Sequence, residues 1–381
     1  MHPAGPTPAT LADQGNCSRI GCYGSPVGAG VNLPSLTGLR WVAAFLVFGF
    51  HLQLAGIFRP GLLDNAVTWL FAPGFVGVSF FFVLSGFVLM WSSSRERTGE
   101  FWWRRFARVY PLHLATLVLC YPLMSRMGTF DSAPGVLTNL VLMQSWSPDT
   151  AYYQSANPVS WTLSCEAFFY LVFPLLVPAV ARLRARGLTI VAAGAWLVTV
   201  LGPFAGRLVA GDAAIRWFFH WTPPGRLPEF VCGVALAGLV RLGLPPPGRW
   251  LWPVAVVVVL DSYLAVTVVD EPWNQAACTM PGFALLLVAA AGTDVRGGWT
   301  PWRNRVLRRL GELSFAFYLV HLAAIEAMHE AVPTGAGGLA PGPATAFTAG
   351  ALALALAAAW LLNVLVERPA RRWLLRLRPP W

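Results

Sequence analysis

Long apolar stretches, separated by short polar connections that carry arginine, run through most of the chain. A membrane-crossing helix needs about 20 mostly apolar residues. The pattern offers ten candidates, at residues 36–58, 73–93, 109–124, 159–181, 188–206, 225–241, 250–268, 275–292, 311–331 and 343–366. Ahead of the third, SSSRERTGEFWWRRFARVYP reads as a basic loop. Residues 125–158 hold Asp131, Asp149, Gln154 and Asn157 around a short apolar piece at 136–143, which is read as dipping into the interface rather than crossing. Pro245, Pro246, Pro247 and Gly248 predict a tight break between the sixth and seventh spans.

Composition turns this pattern into a class. The 381 residues are 56% hydrophobic and 12% charged, with mean hydropathy +0.58, whereas soluble proteins carry about 25% charged residues. An all-α polytopic membrane protein follows. Its net charge of +10 rests on 27 basic residues, every one an arginine. They cluster between apolar runs instead of along one polar face, so the lipid bilayer is the implied partner and nucleic acid is not. With the N-terminus inside, 22 arginines fall on the cytoplasmic side and 5 on the other. That asymmetry satisfies the positive-inside rule and predicts an even number of spans, both termini in the cytoplasm, and residence in the cell membrane.

Residues 1–32 lack the apolar core of a signal peptide and read as a disordered cytoplasmic tail. The ten-helix domain then covers 33–372, with a second short cytoplasmic tail at 373–381. Cys120, Cys165, Cys232 and Cys278 lie in apolar runs, and Cys17 and Cys22 in the tail. Neither a disulfide framework nor a metal site is predicted from them.

Ionisable groups inside spans mark sites by default, because they are costly there. LPSLTGLRWVAAFLVFGFHL carries Arg40 and His51 in one run. Eleven residues at about 100° bring the second side chain back to within about 20° of the first, with about 16 Å of rise. The structural alternative is an arginine snorkelling to headgroups and a histidine bonded to a neighbouring helix. Glu166 in PVSWTLSCEAFFY lies a few residues inside the fourth span, at a depth predicted to match His51, so that the two face each other if the first and fourth helices pack. Its structural alternative is a helix-start acid. Arg104, Arg105 and Arg108, flanked by Trp102, Trp103, Phe106 and Tyr110, have two open readings. They set topology against anionic lipid, or they hold an adenine nucleotide with guanidinium forks and aromatic faces.

Arg226 and Glu229, three apart in GRLPEF, read as a structural pair. His321 in LSFAFYLVHL has only Tyr318 and Phe317 near it at helical spacing and is a cavity-lining candidate. His113 reads as structural, and Ser85 as a small packing residue beside Gly86. A serine-hydrolase GxSxG and a phosphate-binding Gly-rich loop are absent from the sequence. A transporter with a midplane polar cluster is the rival class.

In order, SLTGLRWVAAFLVFGFH, FFFVLSGFVL, RRFARVYPLH, SWTLSCEAFFY, RLPEFVCGVALA, LSFAFYLVH and VERPARRW resemble the acyltransferase-3 family of integral membrane acyltransferases, over residues 33–372. LPSLTGLRW is further similar to its actinomycete members that acylate macrolides. The resemblance implies ten transmembrane helices and transfer of an acyl group from acyl-CoA, a co-substrate rather than a resident cofactor, to a hydroxyl of a small molecule or glycan. It implies catalytic roles for His51, Arg40 and Glu166 and donor binding by Arg104, Arg105 and Arg108, and substrate contacts are expected from Trp161, Tyr170 and His321. It also implies that the appended extracytoplasmic domain of some members has no counterpart here.

Overall fold

The apolar runs fold as helices nearly where the pattern places them. The computed structural model describes residues 31–93, 97–126, 132–244, 250–335 and 337–377. The predicted N-terminal tail up to residue 30, with Cys17 and Cys22, lies outside the described residues, as do Arg95, Asp131, the Pro245–Gly248 break and the end of the C-terminal tail from 378. Helix α1 is Pro34–Leu54. Helix α2, Leu62–Phe71, runs through a 3-10 turn at Ala72–Val76 into α3, Gly77–Trp91. Helix α4, Thr98–Arg126, is followed by short α5, Ala133–Leu140, and α6, Thr150–Tyr153. Then come α7, Trp161–Val180, α8, Ala185–Gly206, and α9, Asp212–Trp221. Helices α10, Pro223–Arg241, α11, Leu251–Ala265, and α12, Ala276–Val295, precede α13, Arg305–Ala331. Helix α14, Pro341–Leu362, passes through a π-helical turn at Asn363–Glu367 into α15, Arg368–Arg376.

Among the described residues eight helical segments are long and apolar enough to cross a membrane. The chain is thus an all-α polytopic membrane protein. The sixth and seventh predicted spans are helices, α10 and α11, but outside those eight. The first turns of α10, PPGRLPEF, carry both members of an ion pair, and α11 has only 15 residues, about 22 Å.

Two other expectations are corrected. The basic loop before the third span is largely helix, since α4 starts at Thr98 and continues through Pro111. Residues 132–160 do more than dip into an interface. They form a plug of short helical turns whose side chains Asn139, Gln144, Ser145, Ser155, Asn157 and Ser160 are buried. In an apolar interior, irregular backbone persists only where its polar groups are satisfied. Here Asn139 donates to Ser155 O at 2.6 Å, Gln144 to Ser160 O at 3.0 Å, and Asn157 to Leu319 O of α13 at 2.9 Å. His113 Nε2 donates to Asn139 O at 3.0 Å, the structural role predicted for it.

Helix α1 packs on α13 and α3, and α10 on α3, α8 and α7. Gly311 lets α13 approach α1 so closely that a Cβ there would lie 1.8 Å from Thr37 O. Gly86 does the same for α3, where a Cβ would lie 2.0 Å from Phe230 O of α10. The start of α1 has no capping side chain of its own. Asp294 of α12 supplies the cap, accepting from Ser35 N at 2.8 Å and Ser35 Oγ at 2.7 Å, so the free N–H dipoles of the first turn meet a carboxylate. Arg303 lies 3.7 Å from the same carboxylate.

Candidate active site

Two clusters sit along α1, one near each end. At the end where α1 begins, a cavity of about 370 Å³ is lined by Arg40 of α1, Ser85 of α3, Arg105 and Arg108 of α4, and Glu166 and Tyr170 of α7. It continues outward past Asn32, Leu33 and Trp91, which with Arg40 line a space of about 290 Å³. Inward it narrows to about 50 Å³ between Arg40, Phe82, Glu166 and Tyr318.

Helix α4 places its arginines by register. Arg104 and Arg108, four apart, share a face, but Arg108 reaches the cavity while Arg104 is exposed. Arg105 lies over the Phe101 ring at 5.5 Å. Helix α4 is tied to its neighbours by two indoles. Trp103 Nε1 donates to Leu374 O of α15 at 3.0 Å, and Trp102 Nε1 to Tyr170 O of α7 at 3.0 Å. Tyr170 O is available because residue 174 is a proline with no N–H to give it.

Glu166 accepts from Tyr170 Oη at 2.6 Å and lines both inner spaces with Arg40. The predicted match in depth between Glu166 and His51 is therefore overturned. The buried plug lets α7 begin inside the bundle, level with Arg40 and far along α1 from His51. Among the described residues no hydrogen bond or ion pair engages the Arg40 guanidinium. Glu166, Arg108 and Glu367 act on it only through space. Glu367, to which the sequence reading assigned no role, is buried in the π-helical turn and accepts from Asn363 Nδ2 at 2.9 Å. A carboxylate in the apolar run LLNVLVERP was its signal.

Near the other end of α1, His51 meets His321 of α13. His51 Nδ1 lies 2.9 Å from Val47 O and 3.1 Å from His321 Nε2. His321 Nδ1 lies 2.6 Å from Tyr318 O. Phe317 lies parallel to the His321 ring at 6.0 Å, and Phe48 meets it edge-on at 6.5 Å. Tyr318, which lines the narrow chamber, has its ring 5.7 Å from that of His321. The line from Arg105 and Arg108 past Arg40 and Glu166 thus ends one helical turn from the imidazole pair.

Trp161 packs rather than lining these spaces, against Trp221 at 4.8 Å and Phe82 at 6.1 Å. Ser85 does line the cavity, and the close packing is left to its neighbour Gly86. Arg226 and Glu229 form the predicted pair, Nε to Oε2 at 3.1 Å. Arg226 also donates to Gln275 Oε1 at 2.8 Å and Ser79 Oγ at 3.0 Å.

An all-helical membrane bundle with a cation-lined cavity and an inward-facing histidine pair fits a membrane transferase. The acyltransferase domain of the acyltransferase-3 family matches residues 33–364, and the chain belongs to that family. It is similar to "Acyltransferase MdmB" of Streptomyces mycarofaciens, 39% identical over 92% of this chain and 94% of that protein. It is also similar to "Exopolysaccharide production protein ExoZ" of Rhizobium meliloti, 31% identical over 73% of this chain and 84% of that protein. Against "Peptidoglycan O-acetyltransferase OatA" of Listeria monocytogenes it is 26% identical over 37% of this chain and 24% of that protein. No solved structure matches the chain.

Proposed function

We propose that the protein moves an acetyl or other short acyl group from acyl-CoA to a hydroxyl of a natural-product acceptor such as a macrolide, with His51 as general base. The observation that carries this reading is the cavity itself. Three arginines against one carboxylate line it, and Arg40 has no direct partner among the described residues. Such a lining suits a polyanion, and guanidinium forks match phosphate oxygens. With this end in the cytosol, as the arginine distribution predicts, the donor's nucleotide enters from its own compartment and its thioester arm points along α1 toward His51.

There His51 Nε2 accepts the acceptor's hydroxyl proton as the oxygen attacks the thioester carbonyl carbon. The C–S bond breaks, the thiolate takes that proton from His51 Nε2, and an ester and free CoA leave. General-base help of this kind contributes about 10²- to 10⁴-fold. Glu166, held by Tyr170, belongs to the donor's end and orients Arg40 or the phosphates rather than the imidazole. A macrolide-like acceptor is supported by the LPSLTGLRW likeness, and acyl transfer itself by the Streptomyces acyltransferase aligned along nearly all of both chains. A cell-envelope glycan is the second reading, favoured by the exopolysaccharide-production relative.

Purified protein given acyl-CoA and an alcohol should release free thiol only when the acceptor is present, and His51→Ala should abolish that release while still inserting. Turnover by His51→Ala would refute the base assignment. No thiol release with any acceptor would favour transport instead.

A further inference from the structure

The two imidazoles at the far end of α1 constrain each other's protons. A carbonyl oxygen only accepts, so the 2.6 Å contact between His321 Nδ1 and Tyr318 O requires the proton on Nδ1. Neutral His321 then presents a lone pair at Nε2. That atom lies 3.1 Å from His51 Nδ1, which also faces Val47 O at 2.9 Å. Both neighbours of His51 Nδ1 are therefore acceptors, and Nδ1 carries the proton. A neutral imidazole has one N–H, so Nε2 of His51 is left as the lone pair.

The arrangement is rigid. His321 is fully buried, with Phe317 and Phe48 against its ring. Its Nε2 has no other partner among the described residues. Val47 O also accepts the α1 backbone N–H of His51 and meets the ring through its second lone pair, so His321 Nε2 is the side-chain partner of a shared Nδ1 proton.

We propose that His321 is a positioning residue, which holds His51 in the Nδ1–H tautomer and supports the imidazolium formed when His51 Nε2 takes the acceptor's proton. This moves His321 from the substrate contact expected of it to a place behind the base, and it rests on the assignment of His51 as base. The logic is that of a triad, in which a third group bonded to the far nitrogen of the histidine fixes its tautomer and steadies its charge. Here the third group is a neutral ring lone pair. A second proton on His321 would set N–H against N–H across the 3.1 Å gap, so a proton gained by the pair goes to His51 Nε2.

The test compares His321→Leu, which removes the acceptor, with His321→Gln, whose side-chain oxygen restores one. Acyl-CoA binding is titrated in parallel. The leucine variant should bind acyl-CoA with wild-type affinity and keep its KM, while kcat falls by on the order of 10²-fold or more. Glutamine should recover at least about tenfold of that loss. A leucine variant with wild-type kcat overturns the proposal, and so does a glutamine variant no better than leucine while both bind the donor normally. Should leucine prevent insertion, ring-¹⁵N-labelled wild-type protein decides, with the His51 signals assigned by difference from His51→Ala. Nδ1-protonated His51 with a hydrogen-bond coupling to His321 Nε2 upholds the proposal, and Nε2-protonated His51, or the absence of that coupling, ends it. Turnover retained by His51→Ala would instead sink the base assignment, whereas a dead His51→Ala beside a fully active His321→Leu sinks only the positioning role.

Discussion

Two arginines inside this bundle have opposite surroundings. Arg226 on α10 is 1% exposed, paired with Glu229 at 3.1 Å, bonded to Gln275 and Ser79, and set over the Phe82 ring at 5.2 Å. Arg40 on α1 lines a cavity and has no direct partner among the described residues. A guanidinium in an apolar interior persists when its charge is met. Arg226 is met by the protein, whereas on the proposed function Arg40 is left for a ligand. The sequence places both inside spans, and only the three-dimensional surroundings separate a packing role from a binding one.

That contrast is open to direct tests. Arg40→Ala should abolish acyl transfer while leaving thermal unfolding in detergent close to wild type. Arg226→Ala should instead destabilise by about 3–5 kcal/mol, because Glu229 is left buried without its partner, and Arg226→Ala with Glu229→Ala should regain part of the loss. Equal destabilisation by Arg40→Ala and Arg226→Ala, read as denaturation midpoints, would erase the distinction.

Smaller effects belong to the cavity wall. Arg105→Gln and Arg108→Gln should each raise the apparent KM for acyl-CoA about tenfold, the loss of a charge-assisted hydrogen bond of roughly 1.5 kcal/mol. Arg104→Gln should raise it less, since Arg104 lies outside the cavity. Steady-state kinetics at fixed acceptor decides, and unchanged values for Arg105→Gln and Arg108→Gln would return the arginines to lipid contact.

The smallest effect lies where the Arg226 network reaches the loops. Gln275 bonds His220 of α9, and His220 Nδ1 is 3.3 Å from Glu271 Oε1. Burial pushes the His220 imidazole down, and the adjacent His220 side chain holds the Glu271 carboxyl below the usual carboxylate range. Both groups bind protons more readily in the unfolded chain, so their contribution is complete above about pH 6.5. It falls away first through His220 and then, below about pH 4.5, through Glu271 as each folded-state value is crossed. Unfolding midpoints should slip modestly on acidification, and Glu271→Gln should flatten the lower part of the curve. A midpoint that rises on acidification would contradict the sign.

Much of this was legible in the chain. Apolar runs placed the long helices, eleven-residue spacing put Arg40 and His51 on one face of α1, and the three-residue spacing announced the Arg226–Glu229 pair. What escaped has physical causes. The start of α4 is dense in arginine, so hydropathy reads it as loop although the backbone is helical from Thr98. Glu166 was placed at the wrong depth because the plug at 132–160 is held by long-range polar bonds that leave no periodic trace. The partner of His51 sits 270 residues away on another helix, and Glu367 reaches Arg40 only because the last spans fold back over α4.

The span from Arg40 to His51 is laid out on one uninterrupted helix, anchored at its first turn by Asp294. Such a rod is a ruler whose graduations cannot be stretched. Inserting one residue between the two marks would swing the imidazole through about 100° as well as lift it about 1.5 Å, so under the proposed function the groups gripped at either end can diversify far more freely than the reach between them.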